Sequence, residues 1–345
     1  MPYSMNNPAI DAKIEDLVNT AAFPDRDADD ADLVREIIVT ALKVLRDETD
    51  RGDIKMMNTA LKELRYSSLV FDGHQHMPKV AVYGSARTDP EDPNYLLAEQ
   101  FGERMASEHD WMVITGAGPG IMEAANKGAG TEASFGVNIR LPFENGANEY
   151  LSPGQVINFK YFFTRKVQFV KESNAFVLFP GGWGTMDEAF ELLTLIQTGK
   201  SDLHPIVMLE APGSGYWHSW EAMGDTLLDQ GMIAEADKNL YTITTEVDVA
   251  VDEITKFYAV YHSQRYVDDR LILRLNQPVA PEILAGLSDD FRDILRSGSI
   301  VSVEPTQAEI STDDNLDLER ISLDFDRRSF GRLRLLIDRL NDTAT

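Results

Sequence analysis

Three glycine-containing turns are the features of this sequence most suited to chemistry. They read YGSAR at residues 83–87, TGAGPGIME at residues 115–123 and PGGWGTMDE at residues 180–188. Glycine permits close approach of the backbone to a ligand, and a helix that begins there presents free N–H groups and its positive dipole end. Such a turn is suited to binding a phosphate. One turn alone fits a tight strand-to-helix connection equally well, but three of them favour a nucleotide-like ligand.

Glu188 and the pair Arg165–Lys166 are the charged side chains that could act on such a ligand. Thr185 and Glu188 have the spacing of a capping box, in which the glutamate only reaches back to the helix start. Alternatively, Glu188 faces the site, where a carboxylate could stabilise positive charge. Asp187 lies about 100° further round the helix, so the two carboxylates are not expected to share this role. Arg165 and Lys166 stand near a predicted helix start, where the dipole disfavours cations, and this mismatch favours a functional role.

Other nucleotide and catalytic motifs fit less well. The sequence has neither a Walker A motif nor a G-x-S-x-G elbow. Its glycines at 116, 118 and 120 are more tightly spaced than a dinucleotide fingerprint, although Arg140 after the next predicted strand leaves an NADP site as an alternative. The six histidines, including His74 and His76, lack metal-ligand spacing. With no cysteine, disulfides, thiolate catalysis and Cys-ligated metal sites are excluded.

Short apolar runs that alternate with helical segments are expected to position these residues. The runs read KVAVYG, WMVITG, FGVNI, AFVLFPGG and PIVMLE, with a further strand around residues 156–159. This alternation predicts the α/β class, with a Rossmann-like, doubly wound, mostly parallel sheet and helices on both faces. Runs that are apolar at every residue indicate strands buried on both faces. In such a sheet ligands bind beyond the carboxyl ends of the strands, where the three turns lie. The predicted helices cover residues 93–108, 119–128, 161–172, 184–199 and 217–230.

Changes in pattern divide the chain into three predicted domains. Residues 1–76 form a helical and acidic N-terminal extension, with helical spacing of apolar residues at 27–48 and a second helix at 55–67. Residues 77–262 form the Rossmann-like, nucleotide-binding catalytic domain. Residues 263–345 form a small βαββα C-terminal domain. The helices of this last domain are predicted at residues 281–296 and 329–340.

The composition of the chain indicates which classes of binding partner are not expected. The chain has 345 residues and a formal net charge of −25, with ordinary globular hydrophobic and charged content. A nucleic-acid partner is not expected, because phosphate contacts need clustered Lys and Arg. No apolar run approaches 18 residues, so no membrane partner is expected. The N-terminus lacks a secretory pattern, and a cytoplasmic location is therefore expected.

The glycine turns resemble those of the Lonely guy (LOG) family of phosphoribohydrolases, formerly named lysine decarboxylase. The segment at residues 180–188 matches the family signature P-G-G-x-G-T-x-x-E, and residues 116–125 resemble its second glycine motif, P-G-I-M-E-A. The Gly84–Ser85 turn and the Arg165–Lys166 pair also stand where the family has its first-strand turn and its Arg-Lys pair. The resemblance covers roughly residues 78–257. The segments outside it resemble those of the longer bacterial members, the nucleotide nucleosidases.

The resemblance implies an activity and a set of site residues. The activity is hydrolysis of the N-glycosidic bond of nucleoside 5′-monophosphates, such as AMP, other purine or pyrimidine nucleotides or cytokinin nucleotides, to free base and ribose 5-phosphate. The implied catalytic residues are Arg165 and Glu188. The implied substrate-binding residues are Gly84, Ser85, Gly116, Gly118, Glu123, Lys166, Gly181, Gly182, Gly184 and Thr185.

The same resemblance bears on cofactors and assembly. Neither a metal nor a redox cofactor is required for this hydrolysis, so none is expected. Family members form dimers in which a partner helix helps to close the pocket, so a homodimer or a larger homo-oligomer is expected. The alternative function is a non-catalytic carrier of a nucleotide or of molybdenum cofactor on the same fold.

Overall fold

The computed structural model describes residues 3–21, 28–140, 146–311 and 314–344. The chain divides into two compact units, at residues 1–65 and 66–345. None of the described helices is long and apolar enough to span a membrane.

The first unit is helical where it is described. α1 (Pro8–Ala21) packs against α2 (Ala28–Arg46), and the latter lies in the segment with helical spacing of apolar residues. Next along the chain, α3 (Arg51–Asp72) extends beyond the predicted helix at residues 55–67 at both ends. Three buried aliphatic side chains form the small core between α1 and α2: Ile14, Val18 and Val39.

A parallel sheet of seven strands lies at the centre of the described part of the second unit. Its strands are β1 (Lys79–Tyr83), β2 (Met112–Thr115), β3 (Ser134–Ile139), β4 (Val156–Phe159), β5 (Ala175–Leu178), β6 (Ile206–Leu209) and β7 (Thr242–Thr244). The strand order is β4-β3-β2-β1-β5-β6-β7, and every neighbouring pair is parallel. The order grows outward from β1 in both directions, which is the doubly wound arrangement. The predicted fold class is therefore confirmed.

Helices cover both faces of this sheet. They are α4 (Pro93–His109), α5 (Ile121–Ala129), α6 (Phe162–Glu172), α7 (Trp183–Gln197), α8 (Trp217–Asp229) and α9 (Val247–Phe257). In β1, Val80 and Val82 belong to the apolar cluster that includes α4, α5 and α9. Ala81 and Tyr83 belong to the other cluster, with α6, α7 and α8. Every residue of β1 is buried, as predicted from the uniformly apolar runs.

A second, antiparallel sheet follows in the same unit, with the strand order β10-β11-β9-β8. Its strands are β8 (Tyr261–Val267), β9 (Arg270–Leu275), β10 (Leu295–Ser302) and β11 (Glu319–Phe325). The helices of this region are α10 (Pro281–Asp290), α11 (Gln307–Ser311) and α12 (Phe330–Asn341). Apolar residues of its central strands and of α12 join the same cluster as Tyr83, so this α+β layer extends one face of the main core.

The structure differs from the predicted βαββα order in three places, and the first is the short helix α11 between β10 and β11. β8 precedes the predicted order as an additional strand; its side chains are mostly polar, and it is held by pairing with β9. The helix predicted at residues 281–296 ends at Asp290, and the strand that begins at Leu295 pairs with β11 instead. The additional strand and the shortened helix have one cause, because pairing with a distant strand overrides the local pattern.

Buried ion pairs fix the connection between β10 and β11. Glu309 on α11 is fully buried, and its Oε1 accepts hydrogen bonds from Arg274 Nη2 at 2.9 Å and Arg320 Nε at 3.3 Å. Thr306 also donates to this carboxylate, through its N–H at 3.0 Å. Burial opposes ionisation, but these hydrogen bonds lower the pKa of Glu309 to about 2. Both arginines are buried as well, and Glu309 is the carboxylate that they share, while Asp314 also pairs with Arg274 at 2.6 Å.

Replacing Glu309 with Gln is expected to lower the free energy of unfolding by about 3–5 kcal/mol at pH 7, because two buried guanidinium groups lose their shared carboxylate. Urea denaturation measures this loss. The exposed Glu304 offers a matched control, whose replacement by Gln is expected to change stability by less than about 0.5 kcal/mol. The lowered pKa of Glu309 stabilises the fold only at pH values above that pKa. The difference in the free energy of unfolding between wild type and Glu309→Gln should therefore shrink as the pH falls from about 4 to about 2. A difference that stays constant over that range would contradict the assigned role.

Candidate active site

The three glycine turns meet at the carboxyl edge of the parallel sheet. β1 lies between β2 and β5, so the turns that follow these strands are neighbours. The N–H of Ser85 donates to the carbonyl oxygen of Pro180 at 3.1 Å, and the N–H of Ile121 donates to that of Ser85 at 3.1 Å. These two bonds tie the three turns into one structure.

Two positions in these turns accept only glycine. A Cβ on Gly84 would lie 2.6 Å from Ile121, the first residue of α5. Gly120 has a φ of +70°, and a Cβ there would overlap the carbonyl oxygen of Ser85. The glycines therefore allow one turn to approach the next closely, which is a reason for their presence besides ligand binding.

A cavity of about 900 Å³ opens above these turns. The predicted site residues that line it are Gly84, Ser85, Gly116, Arg165, Gly181, Gly182, Gly184, Thr185 and Glu188. The two predicted catalytic side chains thus share one cavity with all three turns. A cavity of this size, lined by backbone groups and a few charged side chains, can hold a ligand as large as a nucleotide.

The remaining predicted substrate-binding residues lie outside the described lining of this cavity and have other partners. The carbonyl oxygen of Gly118 accepts a hydrogen bond from Asn148 at 3.2 Å. Glu123 accepts one from the hydroxyl of Tyr95 at 3.0 Å. Lys166 forms ion pairs with Asp187 and Glu191, each at 2.9 Å. These contacts support the turns and helices around the cavity.

The capping-box interpretation of Thr185 and Glu188 is wrong. α7 begins at Trp183, its N-cap is Gly182, and no side chain caps it. Thr185 is therefore already the third helical residue, and Glu188 lies a turn further along. The N-terminal N–H groups of this helix of 15 residues thus lack a side-chain cap, which leaves them suited to an anion. Thr185 instead packs beneath Gly181, where an added Cβ would lie 2.7 Å from the Thr185 Cβ.

Arg165 is held in place from three sides. Its Nε donates to the carbonyl oxygen of Val137 at 2.8 Å. Its Cζ lies 5.3 Å from the ring centre of Phe169, one turn further along α6. Its Nη2 occupies the space that a side chain at Gly116 would take. The guanidinium group is thus oriented by groups of the protein before any ligand binds.

Glu188 is buried in an environment that opposes its charge. The residue is 7% exposed, and its carboxylate accepts no hydrogen bond from the described residues. Burial raises the pKa of Glu188 to about 7, although Arg165 and Lys166 act to lower it. The neighbouring carboxylates of Glu191 and Asp187 act to raise it further. A cavity-lining carboxyl group that titrates near neutral pH is typical of a catalytic acid or base.

Tyr216, Tyr83 and Arg87 are among the cavity residues that were not predicted as site residues from the sequence. The hydroxyl of Tyr216 donates to the carbonyl oxygen of Gly181 at 2.6 Å and so fixes the third turn. Tyr83 lines the cavity directly before Gly84, and Arg87 is an exposed lining residue. Tyr83 ends β1, so its position at the carboxyl edge of a strand is a signal that could have identified it.

Two alternatives find no geometric support in the described structure. Arg140 is exposed after β3 and does not line the cavity above the turns. Among residues 3–21, 28–140, 146–311 and 314–344, no group of three or more His, Asp or Glu side chains is arranged to hold a metal ion.

Comparison with solved structures gives only weak similarities. A molybdenum cofactor binding protein from Rippkaea orientalis is 20% identical, with a TM-score of 0.38 over 51% of this chain and 94% of that one. The molybdenum cofactor carrier protein of Chlamydomonas reinhardtii is 24% identical, with a TM-score of 0.35 and the same coverage. At these TM-scores the similarities give no information on function.

Comparison with families and curated proteins is more specific. Residues 120–254 match the family described as "Possible lysine decarboxylase". Two relatives are named as cytokinin riboside 5′-monophosphate phosphoribohydrolases of the LOG group. A probable one from Oryza sativa subsp. japonica is 24% identical over 181 residues, which are 51% of this chain and 76% of the relative. One from Arabidopsis thaliana is 33% identical over 76 residues, which are 22% of this chain and 34% of the relative.

The matches to these relatives span different fractions of their lengths. A second probable enzyme of this name from Oryza sativa subsp. japonica is 28% identical over 102 residues, and the match spans 46% of its length. The chain therefore spans less than half the length of two of these three relatives. The family match contains the end of the second turn and the whole of the third, together with Arg165 and Glu188. The predicted resemblance of the chain to the LOG family is confirmed by this match and by the names of these relatives.

Proposed function

We propose that the protein hydrolyses the N-glycosidic bond of nucleoside 5′-monophosphates. The bond between C1′ and the base nitrogen breaks, water supplies the oxygen that C1′ gains, and a proton passes to the departing base. The products are the free base and ribose 5-phosphate. The observation that carries this proposal is the shared cavity, in which Glu188 and Arg165 lie beside the three glycine turns.

The turns have the properties that a 5′-phosphate requires. The uncapped N-terminus of α7 offers backbone N–H groups to an anion. Gly182 and Gly184 leave open space around this terminus, since a Cβ on either would meet no atom within 4 Å. Phosphate binding here would supply the energy that positions the sugar for reaction.

Glu188 and Arg165 have the charges that the chemistry requires. Cleavage of a bond from C1′ to nitrogen passes through a sugar with oxocarbenium character, as in glycoside hydrolysis. The Glu188 carboxylate would stabilise that cation or position the attacking water. Arg165 would stabilise negative charge on the departing base or orient the carboxylate. The named activity of the LOG relatives, on cytokinin riboside 5′-monophosphates, supports this reaction class.

A panel of nucleotides tests the proposal. AMP, GMP, CMP, UMP and a cytokinin riboside 5′-monophosphate are incubated with the protein, and free base and ribose 5-phosphate are separated by chromatography. Release of both products from at least one nucleotide is expected, with little release from the matching nucleoside, which lacks the phosphate. Tight binding of AMP without release of base from any nucleotide would instead favour the non-catalytic carrier.

The pH dependence of kcat/KM is expected to report the ionisation of Glu188. Because its pKa is raised to about 7, the carboxylate is mostly protonated below that pH. If the ionised form acts, kcat/KM should rise about tenfold per pH unit up to about 7 and then level off. Initial rates from pH 5.5 to 9 measure this profile, with circular dichroism as the control for intact fold. A profile that is level across pH 7, or that falls as the pH rises through it, would contradict a role for the carboxylate.

A further inference from the structure

The hydroxyl of Tyr83 is a buried polar group without a partner. The residue is 6% exposed, and within the described structure its oxygen makes no hydrogen bond and is out of contact with water. A buried hydroxyl in this state destabilises a fold, whereas phenylalanine would fill the same space without that penalty. Such a group needs an explanation, and a role in the function of the protein is one explanation.

Tyr83 lies near Arg165 and Glu188, the two predicted catalytic residues of the cavity. It is the last residue of β1, and its ring lies 5.0 Å from that of Phe169 on α6. The guanidinium group of Arg165 also lies over the ring of Phe169. Tyr83 therefore belongs to the sheet face on which α6 and α7 place Arg165 and Glu188.

The hydroxyl keeps its proton at every working pH. Burial raises the pKa of Tyr83 well above its usual value, and the negative charges of Glu188 and Glu191 add to this effect, against that of Arg165. A neutral phenol beside a carboxylate can act as a hydrogen-bond donor to it. Of the nearby carboxylates, Glu191 is already paired with Lys166, whereas Glu188 accepts no hydrogen bond from the described residues.

We propose that Tyr83 is a positioning residue for Glu188, to whose carboxylate its hydroxyl donates a hydrogen bond when substrate fills the cavity. This inference rests on the proposed function. In the free protein, water can reach the carboxylate through the open cavity. A bound nucleotide expels that water, and the Tyr83 hydroxyl then replaces the hydrogen bond that the carboxylate loses. The bond also holds the carboxylate in one orientation towards the sugar.

The other groups that face Glu188 do not offer a neutral donor. Arg165 and Lys166 face it from α6, and Asp187 and Glu191 face it from α7. A hydrogen bond from Tyr83 favours the charged form of Glu188. Loss of water alone would raise the pKa of Glu188, so the Tyr83 hydrogen bond is expected to keep this pKa near its free-protein value of about 7 in the substrate complex. The acid limb of kcat, which reports the complex, should therefore lie near that of kcat/KM, which reports the free protein.

Tyr83→Phe tests this proposal because it removes one oxygen atom and leaves the ring. A fall in kcat of about 10-fold to 100-fold is expected, the size associated with a hydrogen bond to a charged group. The acid limb of kcat should move to higher pH than that of kcat/KM, which itself should stay near pH 7. The melting temperature should be unchanged or higher, so the loss of activity would not come from unfolding.

Tyr261→Phe is the matched control. Tyr261 on β8 is also buried, and its hydroxyl likewise has no partner among the described residues, but it does not line this cavity. Its variant should gain stability similarly while keeping kcat and its pH profile. If the wild type is active and Tyr83→Phe keeps its kcat and pH profile, the inference about Tyr83 is overturned while the proposed function stands. A wild type that releases no base from any nucleotide would overturn the proposed function, and the inference with it.

Discussion

Replacing Glu188 with Gln is expected to reduce the release of base from the best nucleotide substrate by about 10²-fold to 10⁴-fold. Glutamine keeps the size of the side chain but cannot carry the charge that the oxocarbenium-like sugar requires. Removal of a group that acts on the transition state has an effect of this magnitude. Binding of the phosphate to the turns does not require this carboxylate, so AMP should still raise the melting temperature of the variant.

The same substitution is expected to stabilise the protein above neutral pH. The pKa of Glu188 is about 7 in the fold, against about 4.3 in an unfolded chain. Because the folded state holds this proton more tightly, wild-type stability falls as the pH rises from about 4 through 7. Glutamine does not ionise, so the variant avoids a loss of up to about 3 kcal/mol at pH 8. An inactive variant that is at least as stable as wild type excludes unfolding as the cause.

Glu282→Gln provides the matched control for Glu188→Gln. Glu282 is exposed in the first turn of α10, outside the parallel sheet. Its replacement is expected to leave activity unchanged and to alter stability by less than about 0.5 kcal/mol. If Glu188→Gln also released base within about threefold of the wild-type rate, the carboxylate would have no part in the reaction.

The central sheet could be predicted from the sequence because its strands are buried on both faces. β1 is apolar or buried at every position, and a short run of this kind between turns is typical of a strand inside a parallel sheet. β8 could not be predicted, since among its residues only Tyr261 and Gln264 are buried and its polar side chains carry no strand pattern. Its position comes from pairing with β9 along its length. Local pattern thus predicts the elements that bury apolar surface, and tertiary pairing decides the others.

Only part of the candidate site could be predicted from the sequence. Glycine is needed at Gly84 and Gly120 because neighbouring turns approach each other closely there. The glycine motifs of the sequence indicate such turns directly. The contact of Tyr216 with Gly181 joins residues 35 positions apart, and no local motif indicates it. The capping question at Glu188 depended on the residue at which α7 begins, because a capping box needs Thr185 as the N-cap, whereas the N-cap is Gly182, three residues earlier. Boundaries of this kind are set by packing more than by local pattern.

Gly116→Ala is expected to lower activity by about 10²-fold without unfolding the protein. The added Cβ would overlap Arg165 Nη2 and lie 2.7 Å from Met122 Sδ. Both atoms are far ends of flexible side chains, so the backbone can stay in place while the side chains move. Ordinary contact between the Cβ and the guanidinium group requires a shift of about 1 Å, and a displacement of that size at a catalytic group costs about 10²-fold in rate.

The displaced guanidinium group is also expected to lose its hydrogen bond to the carbonyl oxygen of Val137, which is 2.8 Å in the wild type. Steady-state rates on the best nucleotide and the melting temperature measure the two effects separately. Gly286→Ala on α10 is the matched control, because a Cβ there meets no atom within 4 Å and the position is far from the turns in the chain. Full activity in Gly116→Ala would mean that the orientation of Arg165 is not required. If Gly116→Ala fails to fold while Gly286→Ala folds, Gly116 is required for the backbone of the turn rather than for the orientation of Arg165.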